Sequence, residues 1–514
     1  MTETVRETER KYEADTDEAG ALPPLPELRK LPGVAAEADT GVQELDATYY
    51  DTEDLALAAA RITLRRRTGG EDAGWHLKLP VSRDVREEVR LPLADTLPPP
   101  LAGLLRARTR GAALLPAVRL RSRRTVRTLY DARRRALAEL SADEVEAERL
   151  SGPTKGRRAA WAEAELELGA GTDPKLFGRA EKRLAKAGYR RSCAPSKLAR
   201  ALEETGAAPA PGPATAPAAQ DTTAGAEVLA YLRAQYEELL ARDVAVRREL
   251  PDAVHKMRVA LRRSRSALRS YRPVLDAAAT DPLRAELKWL AGELGVDRDR
   301  EVLAGRLAAR VAETDTALLL GPVEARLRQW SVAAEQESRA RVRAALDSER
   351  YLRLLDALDA LFAAPPLRGK AARPASKVLP KAVAKEHHRL AVRMERALAL
   401  PPGPGRDRAL HEARKKAKRL RYAAEAAKPS CGKAAKRLAK DVKALQSLLG
   451  DHHDSAVARA TLRETGVRAH TAGETAFTWG LLHGREEARA LDHERELPGV
   501  WAGLADRDTR AELS

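Results

Sequence analysis

Residues 6–13 read Arg-Glu-Thr-Glu-Arg-Lys-Tyr-Glu, which puts Glu7, Glu9, Lys11 and Glu13 on one parity. In an extended strand, residues of one parity share a face, so this strand has a face made wholly of charge. One such strand is a solvated edge, but here the pattern recurs. Arg65 and Arg67 share a parity, and His76 and Lys78 oppose Trp75, Leu77 and Leu79. Arg86, Glu88 and Arg90 oppose Val85, Val89 and Leu91, and Arg119, Arg121 and Arg123 run in phase. Glu163, Glu165 and Glu167 oppose Ala164, Leu166 and Leu168. Six strands with one charged and one more apolar face predict a closed barrel of about eight strands, wet inside and packed on helices outside. Cations alone would hold a polyanion. Cations with clustered carboxylates also suit a hard divalent ion, Mg2+ or Mn2+, so the expected ligand is a metal-bound polyphosphate.

The chain has 514 residues, too many for one core, and 44% hydrophobic residues, too many for a disordered chain. It carries 92 Lys+Arg against 75 Asp+Glu, and 92 − 75 gives a net charge of +17, which calls for a polyanionic partner. Only Cys193 and Cys431 are present, which excludes a disulfide framework or a cysteine metal site. The charged start, with no long apolar run after it, predicts a cytoplasmic protein without a membrane span.

Residues 207–218, AAPAPGPATAPA, cannot sustain a helix or bury much surface, and read as a linker. The expected division is a barrel domain over 1–203, a linker over 204–222 and an all-helical domain over 223–508. That last domain contains a duplication. HKMRVALRRSRSALR from His255 matches HEARKKAKRLRYAAE from His411, pairing His255 with His411, Arg258 with Arg414, Arg262 with Lys418, Arg263 with Arg419 and Arg265 with Arg421. Downstream, Lys288 matches Lys443 and Leu294-Gly295 matches Leu449-Gly450. The copies are expected at about 223–365 and 376–508. Helical spacing sets His255, Arg258, Arg262, Arg265 and Arg269 on one stripe and Met257, Leu261 and Leu268 on another that faces the core. His452-His453-Asp454 and His387-His388 are expected at helix ends or loops rather than on a metal.

The N-terminal series, Glu7-Thr8-Glu9-Arg10-Lys11, YYDT from Tyr49, LRRR from Leu64, WHLKLP from Trp75 and Glu163-Ala164-Glu165, resembles the CYTH family of triphosphate tunnel metalloenzymes over about 1–202. The helical part resembles the CHAD domain over about 224–504. These resemblances imply an α+β protein: an antiparallel eight-stranded tunnel, then a helical bundle of two repeats. They imply metal-dependent hydrolysis of inorganic triphosphate, with nucleoside triphosphates possible as substrates and ATP cyclisation a lesser possibility. Glu7, Glu9 and Lys11 would form the catalytic set. Lys11, Arg65, Arg67, Lys78, Arg86, Arg121 and Arg123 would hold triphosphate, while Glu7, Glu9, Asp143, Glu163 and Glu165 would hold metal. Arg119 and Arg124 compete with Arg121 and Arg123 for register.

In the helical part, His255, Arg258, Arg262, Arg263, Arg265, Lys288, His411, Arg414, Lys418, Arg419, Arg421 and Lys443 would bind inorganic polyphosphate, which would allow association with polyphosphate granules. Nucleic acid is the competing partner, although aromatics are only 4% and offer few stacking platforms. A non-catalytic polyphosphate-binding protein is the alternative to the enzyme.

Overall fold

A computed structural model describes residues 3–15, 22–207, 222–295, 298–505 and 507–513. The expected linker falls mostly in 208–221, outside the described residues. The chain divides into two compact units, Met1–Gly212 and Pro213–Ser514.

The first unit contains β1 (Glu3–Glu13), β2 (Ala36–Asp51), α1 (Ala56–Ala59), β3 (Thr63–Thr68), β4 (Gly74–Pro80), β5 (Val85–Pro92), α2 (Pro99–Thr109), β6 (Leu115–Tyr130), β7 (Ala136–Arg149), β8 (Arg158–Leu168), α3 (Lys175–Lys186), β9 (Arg190–Arg191) and α4 (Lys197–Glu204). Its strands run in the order β5-β4-β3-β2-β6-β7-β8-β1-β9, and β1 also pairs with β5, so eight antiparallel strands close on themselves. Closure removes the exposed edges that open sheets must protect. The outward, apolar parity of β1, β7 and β8, including Tyr12, Leu140 and Leu166, is buried against Phe177, Ala180 and Leu184 of α3. A second core joins Leu198, Ala201 and Leu202 of α4 to Tyr49, Val118, Leu120 and Val145.

Two sequence features have structural rather than chemical explanations. In YYDT, the Asp51 carboxylate accepts from the backbone N–H groups of Thr52 (2.8 Å), Leu57 (2.8 Å) and Ala58 (2.9 Å), closing the turn into α1. Between β6 and β7 the turn places Arg134 at φ 60° and is held by Asp131, which accepts from Arg133 N at 2.8 Å and Arg135 N at 2.9 Å. That turn brings Asp143 into register with Arg124 on one side and Glu163 on the other.

The second unit is all helical: α5 (Ala224–Arg247), α6 (Ala253–Ser270), α7 (Ala277–Glu293), α8 (Arg298–Ala312), α9 (Val323–Asp347), α10 (Glu349–Ala363), α11 (Ala375–Leu398), α12 (Pro404–Ala426), α13 (Lys428–Thr471), α14 (Phe477–Ala505) and α15 (Thr509–Leu513). Helix α13 is broken near its start at Gly432, where φ is 53° and ψ −128°. Met257, Leu261 and Leu268 are buried, so the apolar stripe of α6 faces inward. The duplicated helices α6 and α12 are joined by Arg263–Glu425 (3.0 Å) and by Tyr271 Oη donating to Ala423 O (2.7 Å). Among the described residues no helix is long and apolar enough to cross a membrane.

Asp51→Ala removes an ionised acceptor from three buried donors. The expected loss is on the order of 3 kcal/mol of stability, read by urea denaturation; an unchanged midpoint would exclude this anchoring role.

Candidate functional site

The barrel encloses a cavity of about 370 Å³. It is lined by Glu7, Glu9 and Lys11 of β1, Arg65 and Arg67 of β3, Lys78 of β4, Arg86 and Arg90 of β5, Arg124 of β6 and Glu165 and Glu167 of β8. The charged parity therefore faces the lumen. Asp143 and Glu163 are buried just beside it.

Two of the sequence-predicted residues do not belong to this set. Arg121 and Arg123 each keep 57% of their side chains exposed on the outer face, where Arg123 lies near Glu44 and Glu144. The cause is the opposite parity of β6: Val118 and Leu120 are fixed under α4, so the lumen phase falls on Ser122, Arg124 and Val126. Arg124 takes the inward position, 2.7 Å from Asp143 and 2.8 Å from Glu165. Arg86 is inside, but its terminal nitrogens already donate to Pro195 O (2.5 Å) and Arg61 O (3.3 Å).

Sequence reasoning missed Lys197, the first residue of α4. Its ammonium lies 3.1 Å from Asp143, 2.9 Å from Glu163 and 2.6 Å from Glu165, inside the expected metal-ligand set. Burial opposes its charge, yet these three carboxylates outweigh burial and raise its pKa. The signal was the SKLARAL stretch, where Ser196 caps the helix by accepting from Ala199 N and so aims the next residue inward. Glu88 was also missed. It is fully buried, accepts from or shares a proton with His76 Nδ1 at 3.0 Å, and lies 3.6 Å from Arg65.

The lumen is charge-balanced by pairs. Lys11 contacts Glu165 and lies 3.3 Å from Glu9; Lys78 is 2.5 Å from Glu7, and Arg90 is 3.2 Å from Glu7. Burial raises the Glu9 carboxyl, but Lys11 and Lys78 overcome it and hold its pKa at about 2. Glu7 goes the other way: burial dominates and lifts it above the usual carboxylate range. Burial, then Arg65 and Arg124, push the Arg67 guanidinium down to about 9. Arg65 Nε and Arg67 Nε are buried without a hydrogen-bond partner. The donor set thus suits a phosphate and a divalent cation together. The carboxylates stand as two groups, Glu7 with Glu9 and Asp143 with Glu163 and Glu165, each now neutralised by lysine or arginine.

In the helical unit, burial followed by Arg414 and Arg262 pushes Lys418 down to about 7. Arg262 and Lys418 hold equivalent positions in the two copies, so the duplicated stripes meet at one another. Arg265, Lys416 and Arg419 are lowered as well, by burial first and neighbouring arginines after it. Arg263 and Arg421 are partly committed to Glu425 and lie over the Tyr422 ring. Lys288 and Lys443 are exposed. The paired histidines are not equivalent: His255 is exposed, whereas His411 Nδ1 is 3.1 Å from His453 Nδ1. Burial lowers both His411 and His453, the latter to about 4, so His411 contributes hydrogen bonding rather than charge at neutral pH.

The expectation that His452 and His387 sit at helix ends or loops is corrected, because both lie inside helices. His387 Nε2 is 2.7 Å from Leu504 O. His452 Nε2 is 3.1 Å from Glu494 and 3.4 Å from Asp407, the one cluster among the described residues of three such potential ligands close enough together to hold a metal ion. Arg406 and Arg459 already pair with those same carboxylates, so the group ties α12, α13 and α14 together as an ion-pair network.

The CYTH domain matches residues 6–202 and the CHAD domain residues 230–463. Uncharacterized proteins of two Mycobacterium tuberculosis strains, H37Rv and CDC 1551, are each 37% identical over 509 residues, covering 95% of this chain and 94% of the relative. The chain is a CYTH–CHAD protein. Among solved structures, it is similar to PptA from Streptomyces chartreusis, with 22% identity and a TM-score of 0.46 over 55% of this chain and 99% of that one. It is also similar to the CHAD domain from the plant Ricinus communis, with 28% identity and a TM-score of 0.45 over 58% of this chain and 96% of that one.

Lys197→Met leaves Asp143, Glu163 and Glu165 buried without their shared cation. The expected cost is about 3–5 kcal/mol, and added Mn2+ should raise the melting temperature of the variant more than that of the wild type. An equal metal response in both proteins would show that these carboxylates are not a cation site.

Proposed function

We propose that the tunnel hydrolyses inorganic triphosphate, or another triphosphate, with Mg2+ or Mn2+, and that the helical unit binds inorganic polyphosphate. The observation that carries the first part is the enclosed lumen of buried charges of both signs, with Arg65 Nε and Arg67 Nε unpartnered. Its volume lies at the small end of the range for ligand pockets. A pure phosphate binder would gain affinity by losing carboxylates, whereas Glu7, Glu9, Glu163 and Glu165 are all retained.

Phosphoryl transfer asks little covalent chemistry of a protein and much charge neutralisation and alignment. Arg65, Arg67, Lys78 and Lys11 would hold phosphate oxygens and absorb the charge that develops on the leaving phosphate. Glu9 stays ionised through the physiological range and is a permanent ligand; with Glu7, Asp143, Glu163 and Glu165 it would hold the metal. When bound, that metal neutralises phosphate oxygens and makes a bound water more acidic. Membership of the CYTH family, whose members include triphosphatases and cyclases, supports hydrolysis as the class of reaction.

For the helical unit, the support is unbalanced positive charge. Cations whose pKa values are pushed down by one another are relieved by an anion, and a flexible chain of phosphates binds by releasing counterions without base contacts.

The test is phosphate release from inorganic triphosphate, ATP and long-chain polyphosphate in parallel, with Mg2+, with Mn2+ and with chelator. Metal-dependent release from triphosphate is expected, falling roughly a hundredfold or more in Glu9→Gln. No release from any substrate, with polyphosphate still bound, would make the protein a binding scaffold. A second prediction concerns pH. Bound polyphosphate raises the pKa of Lys418 above its free value of about 7. Below pH 7 the lysine is charged in both states and its contribution to affinity is flat. Above pH 7 binding must take up a proton, so affinity falls as pH rises, by at most tenfold per unit. Lys418→Arg should flatten this dependence in a binding titration; a profile that is flat in the wild type already would rule it out.

A further inference from the structure

The duplication preserves more than basic residues. Leu294-Gly295 and Leu449-Gly450 recur at corresponding places, one just after α7 and one within α13. The leucines are explained by packing, since Leu294 and Leu449 are 1% and 0% exposed. The glycines are explained by the basic stripe. A Cβ built on Gly295 would stand 2.9 Å from Arg258 Nη2 and 3.2 Å from its Cζ, closer than side chains approach. On Gly450 a Cβ would stand 3.4 Å from Arg414 Nη2 and 3.6 Å from its Nε. Arg258 and Arg414 are themselves equivalent in the two copies, so each copy lays the same arginine on the same glycine. Arg414 Nε is in addition buried without a hydrogen-bond partner.

We infer that Gly295 and Gly450 are positioning residues for polyanion binding: each is a flat seat that holds one guanidinium, Arg258 or Arg414, in the basic face. The inference rests on the polyphosphate-binding reading above and deepens it. A guanidinium binds phosphate through a planar fork, and a fork already held in place loses less conformational freedom on binding than one swinging on a long stem. A side chain at the seat lifts the fork away and leaves the charge count unchanged. The seats therefore separate two contributions that arginine substitution removes together. They are not equally tight. Gly295 has no room for a methyl group, which would also meet Ala291 O at 2.9 Å, while Gly450 has room for one and needs a larger side chain to disturb Arg414.

The experiment is a double-mutant cycle on the full chain, with long-chain inorganic polyphosphate titrated at several salt concentrations and melting temperature as the folding control. Gly295→Ala is expected to weaken binding several-fold, but less than Arg258→Ala, and to lower the slope of log affinity against log salt by less than the roughly 0.7, one phosphate contact on a single strand, that Arg258→Ala removes. The double variant should bind no more weakly than Arg258→Ala alone, because the glycine acts only through the arginine. Wild-type affinity and slope in a folded Gly295→Ala protein, or losses that add in the double variant, would overturn the inference while Arg258→Ala still supports polyphosphate binding. If Arg258→Ala itself binds as wild type, the polyphosphate reading of this face fails and the seats with it. Should Gly295→Ala not fold, Gly450→Val with Arg414→Ala gives the same cycle in the second copy.

Discussion

A buried charge must be paired or it disrupts the fold, and the first unit is organised by that constraint. Closing eight strands encloses one face of each, and on β1, β3, β4, β5 and β8 the sequence has made that face largely of charged residues. Each ion moved out of water costs several kcal/mol, which only close partners offset. The lumen satisfies this by setting opposite signs side by side: Lys11 beside Glu9 of its own strand and Glu165 of β8, Lys78 of β4 beside Glu7 of β1 across the intervening β5, Arg124 of β6 beside Asp143 of β7. Lys197 completes the balance from α4, which is why a terminal helix belongs to the site as well as to the core. The carboxylates Glu7, Glu9, Asp143, Glu163 and Glu165 are thus paired, while Arg65 Nε and Arg67 Nε have no hydrogen-bond partner. A ligand that brought both signs would exchange these partners without leaving either the carboxylates or the arginines unpaired.

The helical unit uses the opposite arrangement. Lys418, Arg414 and Arg262 lie near one another with Asp454 as the one carboxylate among the principal influences on Lys418, and cations there are depressed rather than stabilised. A surface of this kind stores repulsion that a polyanion removes. Exchange of internal partners in the tunnel and relief of repulsion on the helices are different physics, which is why two different ligands are proposed for the two units.

Most of this was legible because strand and helix periodicities are local. The parity of Glu7, Glu9, Lys11, Arg65, Lys78 and Glu165 was readable from the chain alone, and so was the duplicated stripe from His255 and His411. Arg121 and Arg123 were misplaced for a physical reason. A run with arginine at 119, 121, 123 and 124 offers two phases, and only the tertiary contact of Val118 and Leu120 with α4 selects between them. Lys197 and Glu88 escaped for the same kind of reason. Glu88 sits in a strand whose charges were visible, but its burial against His76 depends on the adjoining strand.

The glycines of the helical repeat extend this point from charge to shape. Lysine and arginine announce themselves in composition, and their spacing gives a face. What a face does with phosphate also depends on where each guanidinium is held, and that is set by what lies beneath it. At Gly295 and Gly450 what lies beneath is backbone, since the residue has no side chain to interpose. A repeat that conserves a leucine for its core and a glycine beside it keeps both the packing of the helix and the height of the arginine above it. Read this way, the two-residue match is as much a part of the basic face as the arginines.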